Sequence, residues 1–78
     1  MKIRIKEARA HYEATTGLKM TQKRLAQLVY GDKDIGIKSA LDLLNRLQRG
    51  TTNPNIETIE KIALITGVDY NFLINDKN

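Results

Sequence analysis

At 78 residues the chain has room for one domain, and its 41% hydrophobic share with one Pro and five Gly suits a small packed core, not a disordered or low-complexity segment. The absence of cysteine excludes a disulfide framework and a thiolate metal site, so packing alone must hold the fold, as suits a reducing cytoplasm. The net charge of +4 is uneven: residues 1–24 hold seven Lys/Arg against two Asp/Glu, residues 25–49 four against three, and residues 50–78 two against four, so the basic pole is N-terminal and suits contact with a polyanion.

Turn signals divide the chain into short helical stretches with no sustained period-two alternation, which predicts an all-α bundle of five short helices spanning residues 1–78 as one domain. Ile5, Ala8 and Tyr12 share one helical face and Gly17 follows two threonines, so the first helix is expected over about 3–15. Ile3 lies off that stripe, which leaves room for a brief extended start. Thr21 is placed to cap the second helix, expected over 22–30, with Leu25, Ala26, Leu28 and Val29 as its apolar set and Gly31 as its stop.

In the third helix, expected over 36–49, Ile37, Ala40, Leu41, Leu43, Leu44 and Leu47 fall on one side at about 100° per residue. Lys38, Ser39, Asp42, Asn45, Arg46 and Arg49 fall on the other, and Gly50 ends the helix. The run Thr51 to Pro54 is a turn, because Pro biases the residue before it away from the helical region. Asn55 then caps a fourth helix over 56–66 carrying Ile56, Ile59, Ile62, Ala63 and Ile65, closed by Gly67. Asp69 is expected to cap a last helix over 69–74 containing Tyr70, Leu73 and Ile74.

Little in this inventory suggests catalysis. There is one His, no glycine-rich phosphate loop, and no pair of carboxylates around which a pocket could be built, so neither an enzyme nor a cofactor nor a small-molecule substrate is expected. His11 has polar neighbours and is expected to be an ordinary surface side chain. Asp32 and Asp34 flank Lys33 in a turn that lacks the other oxygen ligands of a calcium loop, so helix capping is the better expectation there. The N-terminus has no apolar run of signal-peptide length and no stretch approaches the roughly 18 apolar residues of a membrane span. Neither secretion nor a membrane is expected. The polar face of the third helix carries Lys38, Asn45, Arg46 and Arg49, which are side-chain types that reach phosphates and the acceptor edges of guanine or adenine. A merely solvated helix face would look the same, so the order of flanking motifs decides the weighing.

Three blocks occur in order along the chain: Thr21-Gln22-Lys23-Arg24-Leu25-Ala26, then Leu47-Gln48-Arg49-Gly50-Thr51-Thr52-Asn53-Pro54, then Asn55-Ile56-Glu57-Thr58-Ile59-Glu60-Lys61-Ile62-Ala63, followed by Gly67-Val68 and Phe72-Leu73. In these the chain resembles the phage-repressor, or XRE-type, helix-turn-helix family of DNA-binding domains from about Thr21 to Ile74. The resemblance implies that Gln22 hydrogen-bonds a phosphate with help from its helix N-terminus, beside Lys23. It implies that Ala26 lets the second and third helices approach, and that Arg49, Thr51 and Asn53 touch the DNA backbone. Bases are then read from the exposed face of the third helix, by Lys38, Ser39, Asp42, Asn45 and Arg46.

Two departures from the family pattern bear on this. The interval from Gln22 to Gly50 is about eight residues longer than the family's, and the extra residues fall around Tyr30 to Lys38. Either the third helix begins earlier or the turn has become a loop bearing Asp32, Lys33 and Asp34. Counting back from Gly50 places Leu41, Asp42, Leu43 and Arg46 at the usual reading positions, whereas periodicity buries Leu41 and leaves Leu43 at the edge of the apolar face. Periodicity outweighs register, because burying a leucine is worth roughly 1.5 to 3 kcal/mol. The second departure concerns a buried Arg to Glu pair of the family, in whose places Glu13 and Gln48 stand. A hydrogen bond between them is expected instead, avoiding the desolvation of two charges.

The expectation from the resemblance is a sequence-specific regulator of prokaryotic or phage type, cytoplasmic, binding double-stranded DNA as a homodimer across half-sites about one helical turn apart. Tyr70, Phe72 and Ile74 are the dimer candidates, or else they close the bottom of the monomer core. The competing expectation is a protein-interaction module, such as an antitoxin or a regulator's partner, that keeps the fold without reading DNA. The acidic turn and Asp42 favour the module, and the basic first helix and Gln22 oppose it.

Overall fold

The computed structural model describes residues 2–31 and 34–74, so Asp32 and Lys33 of the acidic turn lie outside the described residues. Among these, the chain forms five helices and no strands: α1 (Ile5–Thr16), α2 (Gln22–Tyr30), α3 (Ile37–Arg49), α4 (Ile56–Thr66) and α5 (Tyr70–Ile74). The radius of gyration of 11.6 Å matches the roughly 11.5 Å expected of a globule this long. No helix among the described residues is long and apolar enough to cross a membrane.

The first helix starts two residues later than expected, and the reason lies in the far half of the chain. Ile3 donates its amide to the Leu47 carbonyl at 3.0 Å, and Arg4 donates to the Leu73 carbonyl at 3.1 Å. Both carbonyls belong to the last turns of helices, where intrahelical donors run short. An extended segment at residues 3 and 4 therefore satisfies α3 and α5 together, while the Ile3 side chain is buried against the core. Extending α1 through these residues would take these donors from both carbonyls.

Helix caps account for most other boundaries. The Thr21 hydroxyl accepts from the Arg24 amide at 3.0 Å, and Asn55 Oδ1 accepts from the Thr58 amide at 2.8 Å, each filling one free donor of a first turn. At the end of α3, Gly50 turns left-handed at φ 79°, and its amide reaches the Arg46 and Leu47 carbonyls. Gly31 behaves otherwise. It ends α2 while still right-handed, at φ −67°, and a Cβ there would stand 2.2 Å from the Gln27 carbonyl oxygen.

The third helix runs from Ile37, and the described residues between it and α2, 31 and 34–36, belong to neither helix. Asp34 does not cap α3, as had been expected of the acidic turn: the N-cap is Gly36, with no side-chain hydrogen bond, and Asp34 is exposed. Asp69 likewise contributes to α5 through its backbone carbonyl, which accepts from Phe72 and Leu73.

The core gathers Ile5 and Ala8 of α1, Leu25, Ala26 and Val29 of α2, Ala40, Leu44 and Leu47 of α3, Ile59 and Ile62 of α4, and Leu73 of α5. α2 packs against both α3 and α4. Ala26 and Ala40 are both buried and line one hollow of about 200 Å³ at the α2 to α3 junction, along with Tyr30, Ile35 and Ile37. Small side chains there let the two helices approach, as expected for Ala26. Leu41 and Leu43 are half-buried against this core, so periodicity gives the right account of α3.

Candidate nucleic-acid interface

The outward arc of α3 consists of Lys38, Ser39, Asp42, Asn45, Arg46 and Arg49, all exposed. It exists because Ala40, Leu44 and Leu47 are buried on the opposite side, which fixes the rotation of a helix about 20 Å long. Asp42 stands near the middle of the arc, with Lys38, Arg49 and Arg46 around it and Asn45 on the flank. From Lys38 to Arg46 the candidates span about 12 Å along the axis. Arg46 and Arg49 sit in the last turn, where cations also complement the helix dipole.

The start of α2 meets this arc through side chains. Gln22 Nε2 donates a hydrogen bond to Asn45 Oδ1, linking two residues that lie 23 positions apart. A candidate phosphate anchor and a candidate base reader thereby belong to one surface. Lys23 and Arg24 are exposed beside Gln22 in the first turn, where free backbone amides and the helix dipole already favour an anion.

The placement of that turn depends on α1. Arg9 donates from Nη1 to the Met20 carbonyl at 3.3 Å, and Glu13 Oε2 accepts from the Met20 amide at 2.8 Å. Two side chains one helical turn apart thus hold both backbone groups of the residue preceding the Thr21 cap, and Met20 itself is buried. This corrects the expectation for Glu13. It does not bond Gln48, whose Oε1 is buried without a hydrogen-bond partner, because its carboxylate is taken by the backbone amide.

Within the arc, Arg46 Nε lies 3.0 Å from Asp42 Oδ2, both side chains about half exposed. Beyond the helix, Thr51 donates its amide to the Arg46 carbonyl at 3.0 Å, closing the last turn of α3. Its hydroxyl reaches the same carbonyl at 3.4 Å. Asn53 is exposed on the following turn. The structure thus joins Gln22 with Asn45, Asp42 with Arg46, and Arg46 with Thr51. Lys38 and Ser39 are placed on the same face toward its N-terminal end, without such links among the described residues. Spacing of four residues made the Asp42 to Arg46 pair foreseeable, whereas nothing local signals Gln22 with Asn45 or the Met20 clamp.

The α5 candidates divide. Tyr70 and Ile74 are half-buried against the core, and the Phe72 ring lies under the Arg4 guanidinium at 5.3 Å from its centroid. The largest exposed apolar side chains are elsewhere, notably Leu64 at 85% and Ile56 at 63% on α4. Leu64 borders a shallow depression that also includes Glu60, Ala63, Val68, Asp69 and Tyr70. His11 is exposed on α1, and among the described residues no group of three or more His, Cys, Asp or Glu is gathered as metal ligands would be. Burial at the α2 to α3 junction pushes the Tyr30 hydroxyl above its ordinary value of 10.0.

Compared with known proteins, the chain matches no family model, no curated protein and no solved structure.

Proposed function

We propose that this protein binds double-stranded DNA sequence-specifically through the outward arc of α3, anchored on phosphates by the start of α2, and acts as a transcriptional regulator in the manner of the helix-turn-helix family it resembles. The observation that carries the reading is the hydrogen bond from Gln22 to Asn45. It joins the N-terminus of one helix to the outer face of the next, so that a phosphate at Gln22 and a base edge at the α3 arc can be reached together. Gln22, Lys23, Arg49, Thr51 and Asn53 serve as backbone contacts in this reading. Lys38, Ser39, Asn45 and Arg46 face the bases with Asp42 among them, and the protein binds as a homodimer.

One observation favours a protein-interaction module instead: a carboxylate, Asp42, occupies the middle of the arc, and a polyanion repels it. Titration of binding to a random duplex against salt separates the two readings. A regulator using several phosphate contacts gives a steep linear fall of log K with log salt, with a slope of about −0.9 for each phosphate neutralised. Absence of detectable duplex binding at low salt would remove the DNA reading and leave the interaction module.

A further inference from the structure

Asp42 is unusual on a face meant for DNA, yet it is not an isolated charge. Its Oδ2 lies 3.0 Å from Arg46 Nε, one turn further along α3. The contact occupies the inner nitrogen of the guanidinium. A guanidinium is a rigid planar fork with five N–H donors, so holding it by Nε leaves the terminal edge, with Nη1 and Nη2, free to point outward. That edge offers two parallel donors. In the major groove, O6 and N7 of guanine are the pair of adjacent acceptors that fit them.

The neighbouring side chain is held as well. Asn45 Oδ1 accepts from Gln22 Nε2, which uses one of the two lone pairs of its carbonyl and leaves the Nδ2 donors available. Two adjacent acceptors with no donor beside them suit the end-on Arg46 fork, and in the major groove guanine alone presents that pair.

We propose that Asp42 is a positioning residue which holds Arg46 end-on for a guanine, and so sets base preference without itself touching that base. The inference rests on the DNA-binding reading above. Pairing also explains how a carboxylate is tolerated on this face, since Arg46 offsets its charge. The bare alternative is an ordinary exposed ion pair of helix spacing, which steadies α3 slightly and has no influence on base choice.

The test uses the whole chain. Selection from a random duplex pool supplies a preferred site, and dissociation constants are then measured for that duplex and for versions in which each guanine in turn is replaced by 7-deazaguanine, which lacks the N7 acceptor. Wild type, Asp42→Asn, Asp42→Ala and Arg46→Ala are compared, with circular dichroism to verify folding. One guanine is expected at which the replacement weakens wild type by about tenfold, and Arg46→Ala should abolish that sensitivity. Asp42→Asn and Asp42→Ala should cut the penalty to roughly two- to threefold and, with a carboxylate removed from the face toward a polyanion, should tighten binding to random duplex. Asp42 variants that retain the full penalty at that guanine overturn the inference and leave DNA binding intact. A wild type that selects a site but shows no Arg46-dependent guanine also overturns it. A wild type that binds no duplex at all overturns both this inference and the reading beneath it.

Discussion

Arg46 and Gln22 illustrate how two polar side chains on one surface acquire different duties from their positions. Arg46 projects from the last turn of α3 toward the bases in the proposed complex, so Arg46→Ala should weaken binding to the preferred site by about 1–3 kcal/mol and relax preference there. Gln22 sits at the start of α2, and Gln22→Ala should weaken every duplex, with a smaller site-dependent share because Asn45 loses its partner. Binding isotherms on a preferred and a random duplex check both; equal effects of the two substitutions on every sequence would undo the assignment. Tyr30 gives a prediction of another kind. Burial pushes its hydroxyl above 10.0, so at high pH the unfolded chain releases that proton more readily than the folded one. Fewer protons bound by the unfolded state means that stability falls with rising pH, and the loss begins as pH passes about 10 and continues up to the raised folded value. Urea unfolding of wild type and Tyr30→Phe on either side of pH 10 should show a shallower alkaline decline in the variant. The residue types of the α3 arc were legible from the sequence because periodicity alone decides which side of a helix faces out. The partners of Gln22, Glu13 and Arg9 were not, since they depend on how separate helices meet.

At the scale of elements, the boundaries rest on a few polar groups, and their removal should be measurable. Thr21→Ala deletes the oxygen that accepts from Arg24, which should destabilise by about 1 kcal/mol and lower the melting temperature by about 4–8 °C in a domain this small. Because this cap also orients the first turn of α2, duplex affinity should fall at temperatures well below the melt. Gly31→Ala should destabilise although the glycine has no left-handed conformation to protect, since its Cβ would lie 2.2 Å from the Gln27 carbonyl and the end of α2 would have to shift. Thermal unfolding by circular dichroism measures both changes, and an unaltered melt for Gly31→Ala would show that the junction gives way without strain. Much of this level was legible in advance. Caps at Thr21 and Asn55, the stop at Gly50 and the five-helix order all follow from local chemistry that a sequence displays. The start of α1 was misplaced because Ile3 and Arg4 are drawn out of the helix by the Leu47 and Leu73 carbonyls, more than forty residues away. Asp34 was misassigned as a cap because Gly36, two residues further on, meets the first turn of α3.

For the molecule as a whole, size and charge constrain how two copies can share an operator. The principal extents are 31 × 28 × 18 Å, a width at which the proposed dimer, with two copies side by side along the longest dimension, can set equivalent α3 helices at a spacing comparable to one DNA turn, about 34–36 Å. In the proposed complex the charge, +5 in residues 1–24 against −2 in residues 50–78, favours a DNA-facing N-terminal part and would leave α4 and α5 to the second copy. Tyr70 and Ile74 are already half-used by the core, so Leu64, 85% exposed beside the same depression, is the stronger anchor for that contact. Its surroundings include Glu60 and Asp69, like charges that oppose association until salt screens them. Salt should therefore act oppositely on the two events, weakening the hold on phosphates while favouring the contact between copies. Leu64→Lys should remove about 1.5–3 kcal/mol for each leucine buried at the contact, lowering cooperative binding to a duplex with two half-sites while leaving a single half-site unaffected. Sedimentation of the free protein across a salt series, together with isotherms on duplexes whose half-sites are moved by five base pairs, checks this. A dimer is untenable if spacing has no influence on affinity, and Leu64 is not its anchor if Leu64→Lys preserves cooperativity at the native spacing.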